Sequence, residues 1–589
     1  MAATVTWDGT NGAGGDGVID TADVAGNWTA VKITAGGGGP SAIAADAAYE
    51  GTNNVTCRSD NRRVYMYTDI GVGNELDFTV SGNAEGELIY IWVNFLASPL
   101  LALNSAGGLG IFLESSTPSA SQYHLWYFYG RDNYTGGWKR LVLDPTKTVS
   151  ASSGTAIDLS AVRYVGAFAH NDQGAAKYDN FVVDQCAVGR GLIVTGTSTT
   201  DALIADLIAD ENTNKRGIVV PLNASETSVE LNGLLTLGDN VGTVATALTD
   251  INSKMFTAEP LYYQGAVQAS VPVDYAGLRI VGNATGNTDV TFGKAVGTTT
   301  GRNGISIIGN PTYDFFIDRD DAAVESADFY GSSFGNLTGV INLDGSHTFN
   351  GDTMVGCGAV SVSSDINNLT SVGSDAITLE GDANLLNSLI INNTATSAVI
   401  VDDLTKISAC SFTSDGTGHA VNLGTIAATD TMTWDNTDSG YAGTDGSTGN
   451  ETILVSIDAG QVLTINVGSG YSTPTVYNTG TGTFSVVSGQ VTLGITVKDI
   501  DDASLLENAR VYVTAAAGGS LSVGTVIINK ALTNASGYTS DTRSYPTNQP
   551  ITGKVRFSTS PNFYKTSPVA GTINNASGLD LTIQMIKDV

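Results

Sequence analysis

Carboxylates come first among the side chains that could do chemistry. Asp318, Asp320, Asp321 and Glu325, in FFIDRDDAAVESADF, form the densest acid cluster of the middle region. Two carboxyl groups held roughly 5–9.5 Å apart can cleave a glycosidic bond, one as acid and the other as nucleophile or base. Acids crowded along a polar loop are more often solvated surface, and that is the reading adopted. A lyase would need a base and cations around an acidic sugar, and this region offers only the scattered Arg302, Arg319 and Lys406.

Other constellations are thinner. GGDGVIDTADV places Asp16, Asp20 and Asp23 like the second half of a calcium loop, but Gly12 and Gly14 stand where the first oxygen ligands belong. These three are the calcium candidates, and neither a metal nor any other cofactor is expected. His124, His170, His347 and His419 are far apart, and no GxSxG, HExxH or Walker A pattern occurs. The expectation is a chain without catalytic residues, not an enzyme. Trp126, Tyr129, Tyr134 and Trp138, in YHLWYFYGRDNYTGGWKRLVLD, are the glycan-binding candidates, because aromatic rings can stack on sugar rings. Tyr134 and Trp138 flank a Gly-containing turn, where rigid sandwiches carry recognition.

The elements that must position these residues are strands. With 589 residues, three to five domains are expected. Seventy glycines and only 14% charged residues point to an all-β chain with many turns, its surface made of Ser, Thr, Asn and Gly. A net charge of −31 argues against nucleic acid as a partner. The start lacks the basic and apolar regions of a secretory signal, and no window approaches the length of a membrane-spanning helix, so neither export nor membrane insertion is expected. Cys57, Cys186, Cys357 and Cys410 have no paired spacing, which fits folding in a reducing cytosol, with Cys357 and Cys410 facing an apolar core.

Along the chain, residues 1–50 are Gly- and Ala-rich and expected as an arm or cap. Residues 51–191 alternate with period two in runs such as LDFTV and LGIFL. YHLWYF is apolar on both faces, as a strand between two layers should be. The segment resembles a concanavalin A-like jelly roll. A short helix is predicted near 201–209, where it would cap the solenoid that follows. From 192 to 455 short strand motifs recur, as VINL at Val340, AVSV at Ala359, AITL at Ala376, AVIV at Ala398 and AVNL at Ala420, at intervals of 19, 17, 22 and 22 residues. Repeats of that length with polar turns predict a parallel β-helix. A connecting β segment is expected over 456–490, and residues 491–589, with NARVYV and NASG, resemble a carboxypeptidase-regulatory-like or Ig-like sandwich.

The fold class is thus all-β and multidomain: jelly roll, parallel β-helix, Ig-like sandwich. The β-helix resembles those of phage tailspikes, fibres and polysaccharide lyases. That resemblance implies a bacteriophage virion surface protein, a fibre or spike or a capsid decoration, made in the host cytoplasm and released by lysis. Its expected partners are other virion proteins and host surface glycans, and the resemblance implies a homo-oligomer, a trimer above others. A virion-associated β-helical polysaccharide depolymerase and a bacterial surface adhesin are the alternatives.

Overall fold

The computed structural model describes residues 3–588 other than 10–16, 34–52, 61–62, 82–83, 85, 96–107, 129–137, 171–177, 200–201, 222–227, 232, 240–245, 252–253, 258–275, 283–287, 294–304, 310–314, 320–324, 346, 442, 444–448, 469, 488, 520, 546, 560–561 and 576. The chain is all-β apart from one α-helix and short 3-10 turns among the described residues. It divides into two compact units, Met1–Ser364 and Asp365–Val589.

The first unit opens with an antiparallel sandwich. One sheet runs in the order Ala151–Ser153, Tyr123–Phe128, Gly108–Glu114, Tyr164–His170, Arg63–Asp69, Trp28–Lys32. The other runs Val18–Asp20, Tyr178–Gly189, Leu88–Phe95, Trp138–Leu143, with Val55–Asp60 also pairing to Tyr178–Gly189. Alternation sends Ile111 and Leu113 into the core between the sheets, with Met66, Ile91, Trp126 and Val183. The intervening Phe112 enters a second buried cluster with Tyr65, Leu125, Tyr127 and Phe168. Tyr65 stacks on Phe112 at 4.2 Å between ring centres.

The described parts of residues 1–50 pair with later strands. Val18–Asp20 and Trp28–Lys32 each join one sheet, and Thr4–Asp8 pairs antiparallel with Gly191–Thr195. Two indoles explain this: Trp7 and Trp28 are buried, donating from Nε1 to the Val188 carbonyl and the Asp20 carboxylate.

Parallel coils follow. Gly191–Thr195, Leu234–Leu237, Ala276–Ile280, Phe315–Arg319, Ile341–Leu343 and Val360–Val362 stack in register, so that Leu192, Leu235, Leu278, Ile317, Ile341 and Val360 form one inward column. Each such column buries aliphatic surface at about 25 cal/mol per Å². A second face of the coils carries Thr246–Ile251, Thr288–Phe292, Glu325–Tyr330 and His347–Asn350, stacked through Phe292, Phe329 and Phe349. A third row, Lys254–Thr257, Ser306–Ile308, Ser333–Gly335 and Thr353–Val355, pairs in register and buries Ile307, Phe334 and Met354. The helix, Ala202–Asn214, is longer than predicted and buries Leu203, Ile204, Leu207 and Ile208. It packs against Thr4–Asp8, Thr197–Thr199 and Val219–Pro221, at the first coil.

The second unit contains parallel coils of the same kind, with Ile377, Val399, Val421, Ile453 and Val476 as an inward column. The segment 456–490 does not merely connect. Val462–Val467 and Thr483–Val487 add parallel strands beside Asp430–Ser439, because Leu463, Ile465 and Val467 repeat the inward alternation. A sandwich completes the unit. Gln490–Asp499 pairs with Tyr538–Ser544 and Leu579–Met585, facing a four-stranded sheet ordered Val526–Leu532, Arg510–Ala515, Gln549–Arg556, Ser567–Ile573. Leu493, Ile495, Val511, Val513, Val555 and Val569 lie in its core.

One left-handed residue recurs per coil between the second and third strand rows. In the first unit it is Gly331 and Gly351, with φ of 64° and 75°; in the second it is Asn368, Asn387 and Ala409, at 55°, 51° and 56°. Only glycine, and less readily Asn, adopts this conformation cheaply. The residue after the turn is buried, and its N–H finds a polar side chain one coil on: Ser332 to Asp352, Leu369 to Ser388, Cys410 to Asn436. Buried backbone donors are thereby satisfied inside the stack.

Candidate functional site

The acid cluster read from the sequence is taken apart by the fold. Asp320 and Asp321 lie outside the described residues. Asp318 points outward from the Phe315–Arg319 strand, 3.9 Å from Arg279 and accepting a hydrogen bond from the Asn342 amide. Glu325 points inward. It shares the interior with Arg319, which occupies the inward column between Ile280 and Leu343. Both side chains are fully buried, with 3.7 Å between Nη1 and Oε1, and Nη1 also donates to the Glu325 carbonyl at 2.7 Å. A charge sequestered there needs its counter-charge, so Glu325 is a partner of Arg319 rather than a solvent-facing acid.

A different pair of carboxylates comes together on the outward face of the second strand row. Asp289, on Thr288–Phe292, is level with Ser326 of the next coil, whose hydroxyl donates to it at 2.7 Å. Asp328, two positions on from Ser326, is level with Thr291 on one side and Thr348 on the other. Asp289 and Asp328 are therefore diagonal neighbours on one sheet face, a placement that sets residues roughly 7–8 Å apart. That is within the range in which two carboxyl groups flank a glycosidic bond, roughly 5–9.5 Å.

The two environments differ. Asp289 is exposed, whereas Asp328 is half-buried. Burial raises the Asp328 carboxyl above its ordinary value, hydrogen bonds from Thr348 oppose the rise, and the Asp289 charge adds to it. A carboxyl raised above its ordinary value beside one open to water is the kind of pairing that acid–base hydrolysis uses. Thr291, Ser326 and Thr348 surround the pair with hydroxyls able to meet sugar hydroxyls.

The aromatic candidates fare unevenly. Trp126 is fully buried in the sandwich core, its Nε1 donating to the Lys147 carbonyl at 2.9 Å, so it is a core residue and no stacking platform. Trp138 is half-buried at the start of an edge strand, level with Asn94. Tyr129 and Tyr134 lie outside the described residues. His124 is also interior: its Nε2 accepts from the Ile157 N–H, and Nδ1 lies 2.9 Å from the buried Glu114 carboxylate.

The calcium candidates are spent on protein donors. Asp16 lies outside the described residues. Asp20 accepts from the Ala22 N–H, Asn27, Trp28 and Thr68, and Asp23 from the Asn53 N–H. No group of three or more His, Cys, Asp or Glu side chains suited to a metal ion occurs among the described residues. The four cysteines are buried and unbridged, and the Cys357 and Cys410 thiols donate to the Phe334 and Leu385 carbonyls.

No protein-family profile matches the chain. No curated protein matches it either. Among solved structures, it matches the catalytic domain of GH87 alpha-1,3-glucanase in complex with nigerose at 10% identity, over 78% of this chain and 98% of that one, with a TM-score of 0.25. The catalytic unit of the thermostable GH87 alpha-1,3-glucanase from Streptomyces thermodiastaticus matches at 9% identity over 79% and 96%, with a TM-score of 0.16. The expectation of a chain that is not an enzyme is withdrawn here, since the matched chains are catalytic domains. At this identity and TM-score the likeness assigns no activity to this chain.

Sequence reading passed over Asp289 and Asp328 because each is a lone acid in an ordinary alternating strand. Aligning the coils by Phe292 and Phe329 would have superposed the two strands and exposed the pair.

Proposed function

We propose that this chain is a polysaccharide-acting β-solenoid protein in which Asp328 serves as general acid and Asp289 as the carboxylate that activates water. The observation that carries the proposal is the diagonal stacking of these two carboxylates on adjacent coils, one half-buried and one exposed. Diagonal spacing leaves room for a water opposite the departing oxygen, which corresponds to cleavage with inversion.

The test is reducing-end release from a panel of bacterial surface polysaccharides. Asp328→Asn and Asp289→Asn are each expected to lower turnover by roughly 10²–10⁴-fold, the usual contribution of a general acid or base. Asp318→Asn, on the other sheet, is expected to leave it unchanged. Absence of any release by the intact chain, or turnover by the Asp289 and Asp328 variants equal to that of the native chain, would refute the assignment. As part of the same proposal, the protein works as a homo-oligomer on the surface of a bacteriophage particle and meets host glycans there. Support for that setting is the sequence itself, acidic and rich in Thr, Asn and Gly. Immunogold labelling of particles with antibodies to residues 491–589 checks it, and unlabelled particles would overturn it.

A further inference from the structure

The chain carries 58 acidic and 27 basic side chains, yet one concave face of its last sandwich is purely basic. The four strands of that sheet, RVYVTA, VIINKAL, QPITGKVR and SPVAGTI, contain no Asp or Glu. Arg510, Lys530, Lys554 and Arg556 all line one groove of about 760 Å³, together with Tyr512, Phe557 and Tyr564. The volume is in the range of small-ligand sites, roughly 300–1,000 Å³.

Strand register concentrates the charge. Arg510 lies directly opposite Arg556, and Tyr512 opposite Lys554. Like charges directly opposite each other across a strand pair are destabilising, so stability alone does not select this arrangement. A bulge adds the fourth cation: the pairing of Val526–Leu532 slips beside Tyr512, and Lys530 there takes a left-handed φ of 54°. Bulges re-aim side chains, and a left-handed lysine is held at a cost in backbone energy. All four cations are exposed, and none of them forms an ion pair with an acid among the described residues. Tyr564 is fixed from behind, its hydroxyl donating to Asp499 at 2.6 Å.

We infer that this groove binds an acidic polysaccharide, its carboxylates held by Arg510, Arg556, Lys530 and Lys554 and its sugar rings laid on Tyr512 and its aromatic neighbours. Guanidinium groups accept carboxylates in paired hydrogen bonds, and aromatic faces take the apolar side of a pyranose. Charges spaced by neutral rings suit four cations set around aromatic rings. A nucleic acid, with a phosphate about every 1.7 Å of duplex, would meet the repulsion of the remaining surface. The inference does not depend on the solenoid carboxylates, since binding needs no turnover.

The experiment is titration of the full chain with oligogalacturonate at low salt, with dextran as the uncharged control. Oligogalacturonate is expected to bind, weakening as salt rises, and dextran is not. Combined Arg510→Gln and Arg556→Gln should weaken binding at least tenfold, while Lys565→Gln, an exposed cation near Asp588, leaves it unchanged. Should the double variant fail to fold, the single exposed variants Lys554→Gln and Lys530→Gln carry the test, each with a severalfold loss. The inference is overturned by no binding to the intact chain, by equal loss in Lys565→Gln, by single-stranded DNA binding as tightly as the glycan, or by a dimer that the double variant abolishes.

Discussion

Replacing Glu211 by Gln should stabilise the helix Ala202–Asn214 at alkaline pH and leave it nearly unchanged in acid. Glu211 is buried near the end of that helix, and its carboxylate accepts the Gly217 N–H at 2.7 Å. Burial pushes its pKa from 4.5 up to about 7, against the pull of that hydrogen bond. Folded protein therefore binds this proton more tightly than unfolded protein does. The associated stability is complete below the ordinary carboxylate pKa and is lost as pH rises through about 7. At about 1.4 kcal/mol per pH unit, the loss amounts to roughly 3 kcal/mol. Gln keeps an oxygen for Gly217 and has no charge to bury. Amide hydrogen exchange over residues 202–221, corrected for intrinsic rates, reads the opening free energy of this segment locally, as a chain of several domains requires. Between about pH 5 and about pH 8 the native chain should lose roughly 2.5 kcal/mol, on the order of seventyfold in opening, and Glu211→Gln should lose far less. Identical pH dependence in the two proteins would refute the reasoning.

Two further substitutions probe the coils. Ala409 alone among the recurrent turn residues is neither Gly nor Asn, so Ala409→Gly should raise the stability of the second unit by about 1 kcal/mol, measured by denaturant unfolding. Gly345→Ala should destabilise the first unit by roughly 2 kcal/mol or more, because φ is +77° and the new Cβ would stand 1.7 Å from Arg319 Nη2. An unchanged unfolding midpoint in either variant would show that the turn or the buried pair is not constrained as described.

The coils were legible because their inward residues repeat. VINL, AVSV, AITL, AVIV and AVNL each contribute a strand, and the left-handed turn recurs at a similar interval. Asp318 faces water as a solvated acid should, but Glu325 was misjudged, since adjacency in sequence hides that it faces Arg319. Trp126 was misjudged because alternation cannot say which face of a doubly apolar strand is the core. Asp289 with Asp328, and Arg510 with Arg556, are contacts between strands, set by register and invisible to any local motif.

The in-register stacking of the coils also bears on how such a chain can change over generations. Each coil offers its neighbour nearly the same inward column and the same turn, so a gene segment encoding one whole coil can be duplicated or lost without forming a new kind of interface. Length then varies in steps of about 4.8 Å, one strand spacing at a time. The Asp289 and Asp328 coils are an exception: a copy inserted between them would part the two acids and leave the rest of the stack intact.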